Sequence, residues 1–159
     1  MSLYTDENLP LTKLYRLESV LKSASDRRVW MKSGGYLVIE PTEALTVIDV
    51  NTGKCVTGKN KQETIRKINL EAAKEIARQL RLRNLSGIIL IDFINMANPD
   101  HNDELFHVLQ KYLRKDPVKC KAVDITPLHI LEMTRKKVRR PVIEEIRQIR
   151  SGSTIADAK

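Results

Sequence analysis

The sequence predicts an α/β fold: a mixed β-sheet with an antiparallel hairpin and a parallel βαβ crossover, and helices packed on the sheet. Two apolar runs are the first observation. Leu45-Thr46-Val47-Ile48-Asp49-Val50-Asn51 and Ile88-Ile89-Leu90-Ile91-Asp92-Phe93 have the composition of buried strands. Second, a long helical pattern lies between them. Strand–helix–strand units are almost always parallel and right-handed. Third, Tyr36-Leu37-Val38-Ile39-Glu40, the turn Pro41-Thr42-Glu43 and the return from Ala44 to Val50 read as a β-hairpin.

Along the chain, residues from about Glu7 to Arg28 predict a helix, with Leu11, Leu14, Leu17, Val20 and Leu21 at helical spacing. Trp30 is expected to anchor the core, and Ser33-Gly34-Gly35 breaks the chain before the hairpin. A loop carrying Gly53 and Gly58 follows. The strongest periodicity runs from about Gln62 to Arg83. There Ile65, Ile68, Ala72, Ile76 and Leu80 form one stripe. Lys67, Lys74, Arg78 and Arg81 lie on another side. Asn84-Leu85-Ser86-Gly87 ends that helix. Pro99 opens a second one through Leu105, Val108, Leu109, Tyr112 and Leu113, and Asp116-Pro117 stops it. Cys120 to Ile125 predicts a strand, and Thr126-Pro127 breaks it. Alternation favours a strand at Leu131–Arg135. Pro141 starts a mixed-charge helix to about Arg150, and the tail to Lys159 is expected to be disordered.

A chain of 159 residues suits one domain with a real core. No apolar run is long enough to cross a membrane and no signal-peptide pattern occurs, so a membrane role is not expected. The net charge of +8 favours a polyanionic partner such as nucleic acid. The two cysteines, Cys55 and Cys120, have no paired spacing. A cytoplasmic setting is expected, with neither a disulfide framework nor a zinc site. Aromatic content is 4%, which predicts grip on backbone phosphates rather than base stacking.

Asp49 and Asp92 carry the most chemical information. Each ends an apolar run, at the strand tips where open α/β sheets bind ligands. If the two strands are parallel neighbours, about 4.8 Å apart, both carboxylates can share one divalent ion. Capping of turns is the other role open to such aspartates.

Several segments resemble the ribonuclease E/G family. These are Ser33-Gly34-Gly35-Tyr36-Leu37-Val38-Ile39 with Thr42-Glu43-Ala44-Leu45, then Ile48-Asp49-Val50-Asn51-Thr52-Gly53. The longest is Asn69-Leu70-Glu71-Ala72-Ala73 with Glu75 to Arg83, continuing into Gly87-Ile88-Ile89-Leu90-Ile91-Asp92-Phe93-Ile94. Leu131-Glu132-Met133-Thr134-Arg135 is a further piece. The resemblance covers roughly residues 27–137. It implies the subdomain of the catalytic region that is similar to deoxyribonuclease I in fold, placed at residues 29–140. A helical segment (1–28) would precede it, and a helix with a tail (141–159) would follow. It also implies that Asp49 and Asp92 hold a magnesium ion, for which manganese can substitute, and that the ion's bound water attacks single-stranded RNA. The products would carry 5′-phosphate and 3′-hydroxyl ends. Asn51 stands where the family has a supporting asparagine. Asn95 stands where the family often has an acid. The family's RNA-binding and 5′-end-sensing domains and its zinc-linking cysteine pair are not seen in this chain. It therefore resembles a fragment or a shortened relative, with poor activity alone.

Candidate RNA contacts are Lys54, Arg78, Arg81, and Arg135 and Lys136 within the run Arg135-Lys136-Lys137-Val138-Arg139-Arg140. Such cations bind backbone by releasing counterions, but a solvated surface accounts for them as well. His101, His107 and His129 lack metal-ligand spacing. The expected partners are single-stranded RNA, the family's remaining domains and further copies of the chain. A non-catalytic RNA-binding or assembly module, and a metal-dependent phosphodiesterase acting on DNA, are the competing functions.

Overall fold

The computed structural model describes Tyr4, residues 9–53 and residues 60–151. Lys54, Cys55, Gly58 and the tail beyond Ser151 lie outside the described residues. Six strands form one sheet: β1 (Arg28–Trp30), β2 (Tyr36–Pro41), β3 (Leu45–Asn51), β4 (Gly87–Asp92), β5 (Cys120–Ile125) and β6 (Ile130–Arg135), in the order β1-β2-β3-β4-β6-β5. β3 and β4 are parallel, and every other neighbouring pair is antiparallel. The hairpin and the crossover therefore stand where the hydrophobic pattern put them.

Alternation divides the sheet into two faces. Thr46, Ile48 and Val50 of β3 and Ile89 and Ile91 of β4 are buried. The helices α3 (Lys61–Arg83) and α4 (Pro99–Leu113) contribute to the same core, which takes in the whole predicted α3 stripe together with Leu105, Leu109 and Leu113. Ile48, Ile89, Ile91 and Leu131 are fully buried. Truncating any of them to alanine should cost about 2–5 kcal/mol in lost transfer energy and cavity. The alternate residues of the other face, among them Val47, Asp49, Ile88, Leu90 and Asp92, are half-buried or exposed. This second face of the sheet is the open one.

The ends of the long helices are set by local chemistry. α3 stops because Asn84 takes the left-handed conformation, with φ of 50°, and the Leu85 N–H returns to the Leu80 carbonyl at 3.0 Å. α4 starts at Pro99, whose ring is preformed for a first turn. The Asn98 side chain there accepts the Asp100 N–H at 3.0 Å. α5 (Val142–Arg150) follows Pro141 as expected.

Two expectations fail. The single N-terminal helix is two helices, α1 (Leu11–Leu14) and α2 (Leu17–Ser25), and the second stops before Arg28. Arg16 breaks it by adopting φ of 49°, without a proline or glycine to announce the break. Leu11, Leu14, Leu17, Val20 and Leu21 all remain exposed, so their spacing does not mark burial. Trp30 is not a core anchor either. It lies on the short edge strand β1 with 63% of its surface exposed, while its neighbour Met31 turns into the core.

Candidate active site

β3 and β4 bring Asp49 and Asp92 side by side. In the parallel register Asp49 is the direct partner of Asp92. Both belong to the parity of the open face, with Asp49 half-buried and Asp92 exposed. The lateral row through them runs Arg28, Val38, Asp49, Asp92, Ile130 across β1, β2, β3, β4 and β6. The next row toward the end of β3 holds Trp30, Tyr36 and Asn51. Asn51 donates from Nδ2 to Asp49 Oδ2 at 2.6 Å. That bond fixes one carboxylate oxygen and leaves the other free to meet a ligand. Glu132 opposes Leu90 on the same face, one row away. Among the described residues, no three His, Cys, Asp or Glu side chains come close enough together to hold a metal ion. The acid donors at this point are the two aspartates.

The covered face supports the site through α3. Asn69 is fully buried. Its Nδ2 donates to the Ile94 carbonyl at 2.7 Å, and its Oδ1 accepts the Ile94 N–H at 3.2 Å. The chain leaving β4 just after Asp92 is thereby pinned. Two residues on, Glu71 accepts the N–H groups of Lys32 at 2.9 Å and Ser33 at 3.1 Å. Burial works to raise the Glu71 carboxyl, but its bonds to Ser33 and Lys32 outweigh that and hold it below the usual range. The turn it grips ends at Gly35, where a Cβ would come within 2.8 Å of the Asn51 carbonyl. Only glycine allows that close approach, so the Ser33-Gly34-Gly35 turn seats the end of β3. Sequence pattern alone gave no role to Asn69 or Glu71. Both occur in a helix, polar and on or beside an otherwise apolar stripe, and that is the signal they carry.

Among the described residues, the candidate RNA contacts Arg78, Arg81, Arg135 and Lys136 do not gather around the acids. Arg78 and Arg81 are exposed on α3, which packs on the covered face. Arg78 is paired with Glu75 at 2.7 Å. Arg135 departs from the expected basic surface. Its side chain is 3% exposed and faces inward, and Nε meets Asp116 Oδ2 at 2.9 Å. Nη1 donates to Asn84 Oδ1 and to the Leu85 carbonyl, each at 3.0 Å. Burial pushes the Asp116 carboxyl up, but Arg135 and the Val118 N–H more than offset this and leave it below the usual range. Cys120 lies beside the pair, and burial and the Asp116 charge raise its thiol to about 11. Lys136 is exposed and lines a groove with Lys119, Lys121 and Ile88. It lies by the Gly87 end of β4, away from Asp92.

The sequence model of the Ribonuclease E/G family matches residues 1–138. The chain belongs to this family. It is 50% identical to Ribonuclease G of Salmonella typhimurium (strain SL1344) over 133 residues, which is 84% of this chain and 27% of that relative. Ribonuclease G of Escherichia coli (strain K12) is 47% identical over the same coverage. Ribonuclease E of Nostoc sp. (strain PCC 7120) is 42% identical over 135 residues, 85% of this chain and 20% of the relative. The chain thus spans about a quarter of the length of the ribonuclease G relatives. The matched region includes the paired strands and the helix that supports them.

Proposed function

We propose that this chain is the catalytic subdomain of a metal-dependent endoribonuclease acting on single-stranded RNA. The observation that supports it most is the direct register of Asp49 with Asp92 on the open face, together with the Asn51 bond to Asp49. The donor set fits magnesium. Magnesium prefers hard oxygen ligands, is content with one or two carboxylates, and takes the rest of its shell from water and substrate phosphate. When bound, the ion would neutralise charge on the phosphate and make water a stronger nucleophile at neutral pH.

The chain's own residues do the positioning. Asp49 and Asp92 supply the negative charge that a cation needs beside a polyanion. Asn51 orients Asp49 so that one carboxylate edge faces outward. Asn69 and Glu71 stiffen the two chain segments that carry the site. Among the candidate cations, Lys136 is placed on an exposed groove where it can hold backbone phosphate. Arg135 serves instead to tie β6 to the Asp116 loop.

The test is cleavage of a short single-stranded RNA with magnesium or manganese, compared with the matching DNA. Metal-dependent cleavage of the RNA, lost on chelation and in Asp49→Asn, supports the reading. Equal cleavage of DNA, or RNA cleavage that survives Asp49→Asn, removes it.

A further inference from the structure

We propose that Arg28, Trp30 and Tyr36 form a stacking platform for one unpaired base of the RNA strand whose phosphate is held near Asp49 and Asp92. The proposal rests on the endoribonuclease reading above. It starts from the chain's single tryptophan, which is 63% exposed on β1. This side chain is not an isolated surface hydrophobe. Its ring centroid lies 5.0 Å from that of Tyr36, tilted by 55°. The Arg28 guanidinium sits 4.5 Å from the Tyr36 centroid and 5.8 Å from that of Trp30. One cation and two rings therefore make a built cluster, held by the β1–β2 register in which Trp30 faces Tyr36 and Arg28 faces Val38.

The cluster is continuous with the acid site. Tyr36 is the register partner of Asn51, and Arg28 shares a lateral row with Asp49 and Asp92. β1 is two strands from β3 and three from β4, so the lateral separation is roughly 10–14 Å at about 4.8 Å per strand. That is a distance an RNA strand covers in a few nucleotides. Nucleobases stack on aromatic rings and on guanidinium planes, and exposed sheet aromatics are a recurrent way to hold splayed bases. A cation in the same cluster favours a polyanion over an apolar protein segment. Composition alone predicted weak stacking because aromatics are few. Placement adds what composition lacks: exposed Trp30 and half-buried Tyr36 pack together on the face that carries the acids.

The test uses the complete chain carrying Asp92→Asn, with chelator present so that RNA stays intact. Trp30 is the only tryptophan, so its fluorescence reports the platform directly. Titration with a short single-stranded RNA should quench it, and an abasic strand with the same phosphates should not. Trp30→Ala should weaken binding about 5- to 150-fold, the range that corresponds to one stacked base, and Trp30→Phe should recover most of it. In the active chain the same loss should appear in KM with kcat nearly unchanged. Equal quenching by the abasic strand, or unchanged affinity in Trp30→Ala, overturns the platform. So does a fluorescence change that follows protein concentration rather than RNA, because a second copy would then cover the patch. Asp49→Asn separates the two readings. If it abolishes cleavage while Trp30→Ala changes nothing, the platform alone fails. If cleavage persists in Asp49→Asn, the active-site reading fails whatever Trp30 shows.

Discussion

Asn69 holds Ile94 from both sides, giving a hydrogen bond to its carbonyl and taking one from its N–H. The relationship links the middle of α3 to the chain that leaves β4 beside Asp92. It explains how a buried amide earns its place in a helix otherwise packed with alanine, isoleucine and leucine. Asn69→Ala strands the N–H and C=O of half-buried Ile94, each at about 1–3 kcal/mol where water does not reach. The expected result is a lower denaturant midpoint with an unchanged slope. Asn69→Asp keeps the acceptor but sets an oxygen against the Ile94 carbonyl, so it should not rescue stability. An alanine variant as stable as the parent would show that water replaces the clamp.

Asp49→Asn and Asp92→Asn should each abolish cleavage while leaving the fold intact. Both side chains lie on the open face, so neither change creates a cavity. The amide keeps the shape and removes the charge that would hold a cation. Circular dichroism should be unchanged, and the loss should lie in the chemical step. Cleavage that persists in either variant, even at raised magnesium concentration, would contradict a shared ion site.

Asn51→Ala should reduce cleavage about 10- to 100-fold, the usual range for a group that orients a metal ligand. RNA affinity measured without metal should stay the same. Wild-type activity in this variant would leave the Asn51–Asp49 bond without a role.

Much of this arrangement is legible in the sequence. Two apolar runs that each carry an aspartate near the end, with one helical stripe between them, point to a parallel pair, and the register from Leu45–Ile88 onward brings Asp49 level with Asp92. Proline and glycine marked most boundaries. What was not legible depended on the far side of a contact. Trp30 is a large apolar side chain but sits outward on an edge strand, while Val29 within that strand and Met31 just after it turn to the core. Arg135 lies in a run of basic residues, yet strand parity turns it inward to Asp116, a residue 19 positions earlier. Arg16 gives no local sign of its left-handed turn. Periodicity reports which side of an element differs from the other. It does not report what stands opposite.

Cys120 should resist alkylation in the folded chain. Its thiol is raised to about 11, so little thiolate exists at pH 8. Iodoacetamide at pH 8 followed by peptide mapping should label Cys120 slowly in buffer and rapidly in denaturant. Rapid labelling of this peptide in buffer would contradict the buried environment beside Asp116.

The Asp116–Arg135 pair predicts a change of sign in how stability responds to pH. In the native chain the Asp116 carboxyl is held below its unfolded value of about 3.9. A depressed carboxyl contributes stability that is fully present above the unfolded pKa, and that contribution is lost as pH falls through the folded one. Arg135→Met removes the counter-charge from an Asp116 side chain that is 1% exposed in the native chain. Desolvation then dominates and drives the carboxyl above its unfolded value. In the variant this group therefore favours folding more as pH falls, because its neutral form is the one burial tolerates. Near pH 7 the substitution should cost about 3–5 kcal/mol, as expected when one partner of a buried ion pair is removed. The cost should shrink as pH is lowered from 7 toward 4. Glu71 and the other carboxylates titrate in both proteins, so their contribution cancels in the difference. Urea midpoints for both proteins across that range give the measurement. A cost that stays constant with pH would mean that solvent reaches Asp116 and that the pair does not hold β6 to the end of α4.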